Sequence, residues 1–323
     1  MAGPVTASAP GASALRDALR DTPGAIYLLV VLFLGLGIAS PHFLTAHNLV
    51  NIALQAAVVT IIALGMTLVI LTEGIDLSLG PVLGLSGVVA ALLMVRGIPL
   101  PAALLAAVAV AIVFGGLNGF LVAYMELPPF IVTLGTFGMA TSLAMALTEG
   151  NSVTGLPAEI RWFNEGALIG IPVPIWATAL LFLLTLVLLH RTRFGRYVYA
   201  IGGNRRALML SGVHFRLYHT GVYIYAAGLA ALASFVMTAR TNSAHPTIGI
   251  GFEFDAIAAV ILGGTSFVGG RGGLTGTVGG ALAVATLRNG LNLLSIPAEW
   301  QVAAVGIVII LAVAFDSWRG LDA

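Results

Sequence analysis

Two carboxylates three positions apart, Glu73 and Asp76, lie in Thr72-Glu73-Gly74-Ile75-Asp76-Leu77-Ser78-Leu79-Gly80-Pro81, between two apolar runs. Such a pair could exchange protons with a substrate or carry a coupled ion. No nucleophile–base set accompanies it, so a membrane enzyme is the weakest of the readings it allows. The chain has no Lys and no Cys. Without Lys there is no phosphate-cradling P-loop and no Schiff base. Without Cys there are no disulfides, no thiolate catalysis and no sulfur-ligated metal. The six His are scattered without ligand spacing, so no metal site and no bound cofactor are expected. The other chemical signal is basic. All fourteen cationic side chains are Arg, and six of them (Arg191, Arg193, Arg196, Arg205, Arg206, Arg216) fall between His190 and Leu217. No Asp or Glu occurs from Gly166 to Phe252. This stretch reads as a topology marker and as a docking surface for an acidic partner or lipid headgroups. A nucleic-acid partner is not expected.

The elements around these residues belong in a bilayer. The 323 residues are 59% hydrophobic and 8% charged, whereas a soluble domain is about 25% charged. Crossing the hydrocarbon core takes about 20 apolar residues. The candidate spans are Ala25–Ala39, Leu49–Leu71, Leu79–Val95, Leu100–Tyr124, Pro128–Leu147, Pro172–Leu189, Leu217–Ala239, Phe252–Gly264, Leu274–Leu294 and Trp300–Phe315, the eighth plainly short. The expectation is an all-α integral membrane protein of about ten transmembrane helices. A lead at 1–24 precedes a single transmembrane domain at 25–318, with a loop at 190–216 and a tail at 319–323. Alternating the spans from a cytoplasmic N-terminus puts ten Arg inside and three (Arg96, Arg161, Arg240) outside, with Arg288 inside a span. That distribution follows the positive-inside bias and predicts both termini in the cytoplasm.

Two interruptions break the apolar pattern. In the first, near 72–81, Gly74 lets the backbone break, while Asp76 and Ser78 are N-cap types for the next helix. In the second, near 263–273, Ala256–Leu262 runs into Gly263-Gly264-Thr265-Ser266 and then Gly269-Gly270-Arg271-Gly272-Gly273. Each half reads apolar helix, Gly-rich break, small-residue helix, which suggests a weak internal two-fold repeat with re-entrant segments lining a cavity. Within the basic loop, Asn204 is a preferred N-cap and Gly212 a preferred C′ residue. They bound a helix of about two turns. Arg205 and Arg206 in its first turn oppose the helix dipole, at a cost of a few tenths to about 1 kcal/mol.

Five motifs together resemble the ribose/xylose/galactose-type sugar permeases, the membrane subunits of bacterial ATP-binding-cassette importers. They are Gly65-Met66-Thr67-Leu68-Val69-Ile70, Gly74-Ile75-Asp76-Leu77-Ser78-Leu79-Gly80, Pro128-Pro129-Phe130-Ile131-Val132-Thr133-Leu134-Gly135, Thr192–Asn204 and Asp255–Thr265. The resemblance runs from about Phe43 to Trp318. It implies a chain in the bacterial inner membrane that takes a monosaccharide or related polyol across by alternating access. It also implies a second permease subunit, identical or paralogous, a periplasmic or lipid-anchored sugar-binding protein, and a cytoplasmic ATPase that carries ATP and Mg. Arg196, Gly203, Asn204, Arg205, Arg206 and Gly212 would then form the element that couples to the ATPase. Glu73, Gly74, Asp76, Ser78, Gly263 and Gly264 would break helices near the path, and Asn51, Gln55, Asn118, Phe130 and Thr133 would line it. Two positions depart from the family pattern. Glu73-Gly74 stands where Gly-Gly is usual, and Arg205-Arg206-Ala207-Leu208 stands where a Pro or acidic residue and Ala-Ala are common. The other readings are an ion-coupled secondary transporter working through Asp76 or Glu73, and a branched-chain amino-acid permease of the same superfamily.

Overall fold

The computed structural model describes residues 24–321. The N-terminal lead, with Arg16 and Arg20, and the last two residues lie outside them. The described residues form twelve helices: α1 Gly24–Ala39, α2 Ala46–Leu71, α3 Leu79–Val95, α4 Leu100–Ala123, α5 Pro129–Thr148, α6 Ala158–Glu165, α7 Val173–Arg191, α8 Arg193–Leu210, α9 Phe215–Thr241, α10 Phe252–Leu262, α11 Leu274–Leu293 and α12 Ala298–Leu321. The strands are a two-residue pair after α6, Ala167–Leu168 against Ile171–Pro172, antiparallel with Ala167 opposite Pro172. The protein is all-α and membrane-embedded. Each expected span coincides with a helix. Five of these, α2, α4, α5, α7 and α9, are long and apolar enough to cross a bilayer alone. Gly24–Ala39, Leu79–Val95 and Ala298–Leu311 are shorter apolar helices.

An apolar helix can face either protein or lipid, and both occur here. α2 has apolar residues on every side and is buried along most of its length, as a helix without a polar face must be when it forms a core. α4, α5 and α7 are equally apolar yet mostly exposed, with Leu105 and Ile131 left uncovered. Hydrocarbon is the solvent that suits those faces. Around α2 pack α9 and α11. α2 and α11 run antiparallel: Asn48 and Asn289 exchange two amide hydrogen bonds of 3.0 and 2.9 Å near one end, and Thr67 and Thr277 share a 2.9 Å hydroxyl contact near the other. α4 meets α9 across small residues; a Cβ on Gly119 would stand 2.6 Å from the Thr220 Cα. This close approach is how helices gain contact in lipid.

α10 has only eleven residues, about 16 Å of helix, half of the hydrocarbon core. From Ala244, bridged to Val153, the chain descends along α3, with Pro246 beside Gly84 and Gly249 beside Gly80. Arg288 of α11, which no neighbour in sequence balances, is paired inside the bundle with Asp255 of α10 (Nη2 to Oδ1 2.7 Å, Nε to Oδ1 3.0 Å).

Candidate functional site

Both interruptions end their helices in the same way. At the end of α2 the Gly74 N–H bonds the Val69 carbonyl (3.0 Å) and the Glu73 N–H bonds Ile70 (2.9 Å). At the end of α10 the Thr265 N–H bonds Val260 (3.1 Å) and the Gly264 N–H bonds Ile261 (2.8 Å). These are paired 6→1 and 5→2 bonds, a Schellman cap, which needs a left-handed residue at C′. That residue is Gly264 (φ +84°) in one case and Glu73 (φ +61°) in the other. Other helices of the chain end similarly, so the cap alone does not mark a repeat. The identical Val-Ile-Leu that precedes each cap strengthens the correspondence between the two halves.

The two breaks meet at one end of the molecule, the end that carries the basic stretch. Glu73 extends from the first break and its Oε1 accepts the Gly269 N–H of the second at 3.1 Å. Between them lies Gly202 of α8, where a Cβ would run into the Leu71 carbonyl and stand 3.0 Å from the Gly270 Cα. Tyr199, one turn earlier, donates its hydroxyl to the Gly272 carbonyl (3.1 Å). Three backbones thus touch at a point where no side chain fits.

Immediately beyond this joint, α8 kinks. Asn204 leaves helical geometry (φ −158°, ψ 82°), and its Oδ1 accepts the Ala207 N–H at 2.9 Å. Asn204 is therefore the expected N-cap, and Gly212 (φ +74°) supplies the expected left-handed end. One expectation is corrected. The stretch 190–216 is not a loop around a short helix, because 193–203 is helical as well and leads directly into it. Arg205 is also not left unpaired. It lies 3.8 Å from Glu126 and places its guanidinium 4.4 Å from the centre of the Phe215 ring. Glu126 reaches Arg216 as well (3.4 Å). Arg196 and Arg206 are exposed and have no ion-pair partner among the described residues.

Ser78 does not cap α3 with its side chain, as was expected. Instead Asp76 Oδ1 accepts both the Ser78 N–H (2.9 Å) and the Ser78 hydroxyl (2.6 Å), an Asx-type turn that leads the chain into the helix. The Asn118 amide donates to Ser78 Oγ (2.8 Å), Thr136 donates to Asn118 Oδ1 (2.8 Å), and Thr133 donates to the Ile75 carbonyl (3.2 Å). A buried polar chain thus ties the first break to α4 and α5. Irregular backbone at membrane depth requires such partners. The residues read as path-lining do not form one surface. Asn118 and Thr133 belong to this buried chain, Asn51 and Gln55 sit half-buried toward the other end of α2, and Phe130 is exposed on α5.

Glu126, His219, Tyr223 and Glu253 were not singled out from the sequence. Glu126 could have been: a basic stretch free of acids must find its counter-charge elsewhere, and this Glu lies in a turn on the same side. His219, Tyr223 and Glu253 give no sequence signal beyond being polar among apolar residues. The His219 ring nitrogens and the Tyr223 hydroxyl are buried without a hydrogen-bond partner among the described residues. Glu253 is fully buried at the start of α10, its carboxylate taking the Gly251 N–H at 3.0 Å.

Residues 48–313 match the family model described as the branched-chain amino acid transport system / permease component. The chain is 42% identical over 302 residues to the ribose import permease protein RbsC of Bacillus subtilis (strain 168), covering 93% of this chain and 94% of the relative. It is 42% identical over 303 residues to RbsC of Escherichia coli (strain K12), with the same coverage. It is 40% identical over 298 residues to the D-allose transport system permease protein AlsC of that strain, covering 92% and 91% of the two chains. No solved structure matches.

Proposed function

The chain belongs to the branched-chain amino acid transport system / permease component family, and from that premise we propose that it is the permease subunit of an ATP-driven importer for a monosaccharide or related polyol. The observation that carries this reading is the joint at Gly202. The helical turn Tyr199–Gly203, which leads directly into a short surface helix with defined ends, is in backbone contact with both interrupted membrane segments. A push on that helix is delivered to both breaks at once. The chain has no Lys with which to hold a nucleotide in a P-loop, so the push comes from a separate ATPase seated against Arg205–Leu210. On this reading the basic end is cytoplasmic, which the positive-inside bias of the arginines supports. A second permease subunit covers part of the exposed apolar surface, and an extracytoplasmic binding protein delivers the sugar at the far end.

Relatives named for ribose and D-allose favour a sugar over a branched-chain amino acid. The test is reconstitution in liposomes with the cognate ATPase and binding protein. Uptake of a monosaccharide that needs ATP, and stops when the ATPase is omitted, is the expected result. Uptake by the chain alone on a proton or sodium gradient would establish the secondary-transporter reading instead, with Asp76 or Glu73 as the coupled group.

A further inference from the structure

At the end of the molecule opposite the basic stretch, α6 and the two short strands form a small apolar surface left bare by the described residues. α6 is eight residues long; it buries Ile160 and turns Trp162 outward, 66% exposed. The hairpin after it pairs Ala167 with Pro172 and Leu168 with Ile171, and is closed by the Val173 N–H on the Gly166 carbonyl (2.9 Å). Its two-residue turn, Ile169-Gly170, has left-handed φ values of +55° and +75°. A turn with positive φ at both central positions suits Asn-Gly and strains a β-branched residue. Ile169 nevertheless occupies the tip and is 93% exposed. Leu168 and Ile171 beside it are exposed as well. In water Ile169 would carry both backbone strain and bare hydrocarbon; an apolar surrounding removes the second cost.

Depth and continuity identify that surrounding. α7 begins directly after the hairpin and has 19 residues, about 28 Å, close to the roughly 30 Å of the hydrocarbon core. Its last turn carries His190 and Arg191, which belong at a membrane boundary. Its first turn therefore reaches the opposite boundary, and the hairpin lies level with the headgroups. Any tilt of α7 sets it deeper. Leu180, Leu183, Leu184 and Val187 form the exposed stripe of α7, and Trp176 extends this stripe by one turn. The Trp176 indole N–H donates to the Leu168 carbonyl (3.2 Å), so the lipid-facing stripe runs on from α7 to the hairpin. Trp is a residue type enriched where hydrocarbon meets water.

The charges of α6 restrict the contact further. Glu159, Arg161 and Glu165 are all exposed. Two acids against one cation offer no attraction for anionic headgroups, so the contact is apolar. A seat for a soluble protein would leave Ile169 in water between encounters, whereas lipid covers it throughout. We propose that Trp162, Leu168, Ile169, Ile171 and Trp176 form a lipid-docking surface that lies in the headgroup layer of the leaflet opposite the basic end. The functional reading above names that leaflet as the extracytoplasmic one; the docking itself does not depend on it.

The absence of native Cys allows single thiols to be labelled. Ile169→Cys carries a bimane in the full chain, reconstituted in nanodiscs of zwitterionic lipid; Leu168→Cys is the second variant should the first fail to fold. Leu184→Cys, in the exposed stripe of α7, and Arg206→Cys, on the surface helix, are the references for hydrocarbon and water. The hairpin label should lose most of its fluorescence to phospholipid bearing a headgroup nitroxide and little to aqueous iodide. The label at 206 should respond mainly to iodide, and that at 184 mainly to a nitroxide placed mid-chain. Added anionic lipid should leave the hairpin result unchanged. A hairpin label as open to iodide as that at 206 would place the surface in water and overturn the proposal. So would a label shielded only once the binding protein is added, which assigns the surface to a soluble partner, or one that neither quencher reaches, which assigns it to a second permease subunit. Shielding that requires anionic lipid would overturn its apolar basis.

Discussion

At position 73 the backbone takes a φ of +61°, a conformation that costs a residue with a Cβ roughly 1–2 kcal/mol and glycine almost nothing. The resemblance to sugar permeases implies Gly-Gly where Glu73-Gly74 stands, and the cap geometry gives a physical reason for the first of those glycines. Here Glu73 accepts that cost and recovers part of it through the Gly269 N–H, an exposed bond of roughly 1 kcal/mol. The two effects separate by substitution. Glu73→Gly removes the strain and the bond together and should melt at or above the parent temperature. Glu73→Gln keeps an acceptor and should stay near the parent. Glu73→Ala keeps the strain, loses the bond and should be the least stable, by about 1 kcal/mol. Thermal unfolding in nanodiscs gives the order, and an Ala variant as stable as the Gly variant would remove the strain argument. The acid itself was legible in the sequence as an expensive charge at a break. Its use as a strut between two breaks was not, because Gly269 is distant in the chain and its position is set by how the α8 glycines pack.

The element that mattered most, the short helix at Arg205–Leu210, was legible from its ends. Asn204 and Gly212 have chemistries that start and stop helices, and they do so here. The preceding helical turns were hidden by Gly195, Gly202 and Gly203, which read as breakers by propensity. Packing overrides that propensity, since Gly202 is selected for its fit between Leu71 and Gly270 and remains helical. The structure also divides the arginine pair. Arg205 is engaged inward with Glu126 and Phe215, whereas Arg206 faces outward. Arg206→Glu should therefore leave the permease's own stability within about 0.5 kcal/mol, as surface changes usually do, yet weaken copurification with the ATPase. Arg205→Glu sets two acids against each other and should lower stability as well as coupling. Asn204→Ala removes the cap, worth about 1 kcal/mol, and should reduce coupling without altering any charge. If Arg206→Glu retained full ATPase assembly and uptake, the outward charge would have no docking role.

For the whole molecule, alternating access requires some helices to stay together while others move, and the polar contacts between helices indicate which. α2 and α11 are joined at one end by the reciprocal Asn48–Asn289 pair and at the other by Thr67–Thr277. Each interhelical bond in a membrane contributes only about 0.6 kcal/mol, but separating the helices would also open the all-round buried surface of α2. Both breaks hang from this pair, one at the end of α2 and the other at the start of α11, so the pair is expected to be the fixed frame of such a cycle. α4 and α5, although lightly buried, are tied to the first break through Asn118, Thr133 and Thr136 and α4 to α9 at Gly119, whereas α7 is the lightly buried long helix outside that polar chain and is the one expected to shift. These roles could not be read from hydropathy, which treats α2 and α7 alike; only contacts across the bundle tell a core helix from a lipid-facing one. The absence of native Cys makes a clean test possible. Thr67→Cys with Thr277→Cys places two thiols where the hydroxyls now touch, and oxidation should join them. ATP-dependent uptake should then remain within about twofold of the reduced protein. Uptake that stops on oxidation and returns with reductant would show instead that α2 and α11 slide past each other, and would place the moving boundary in the middle of the molecule.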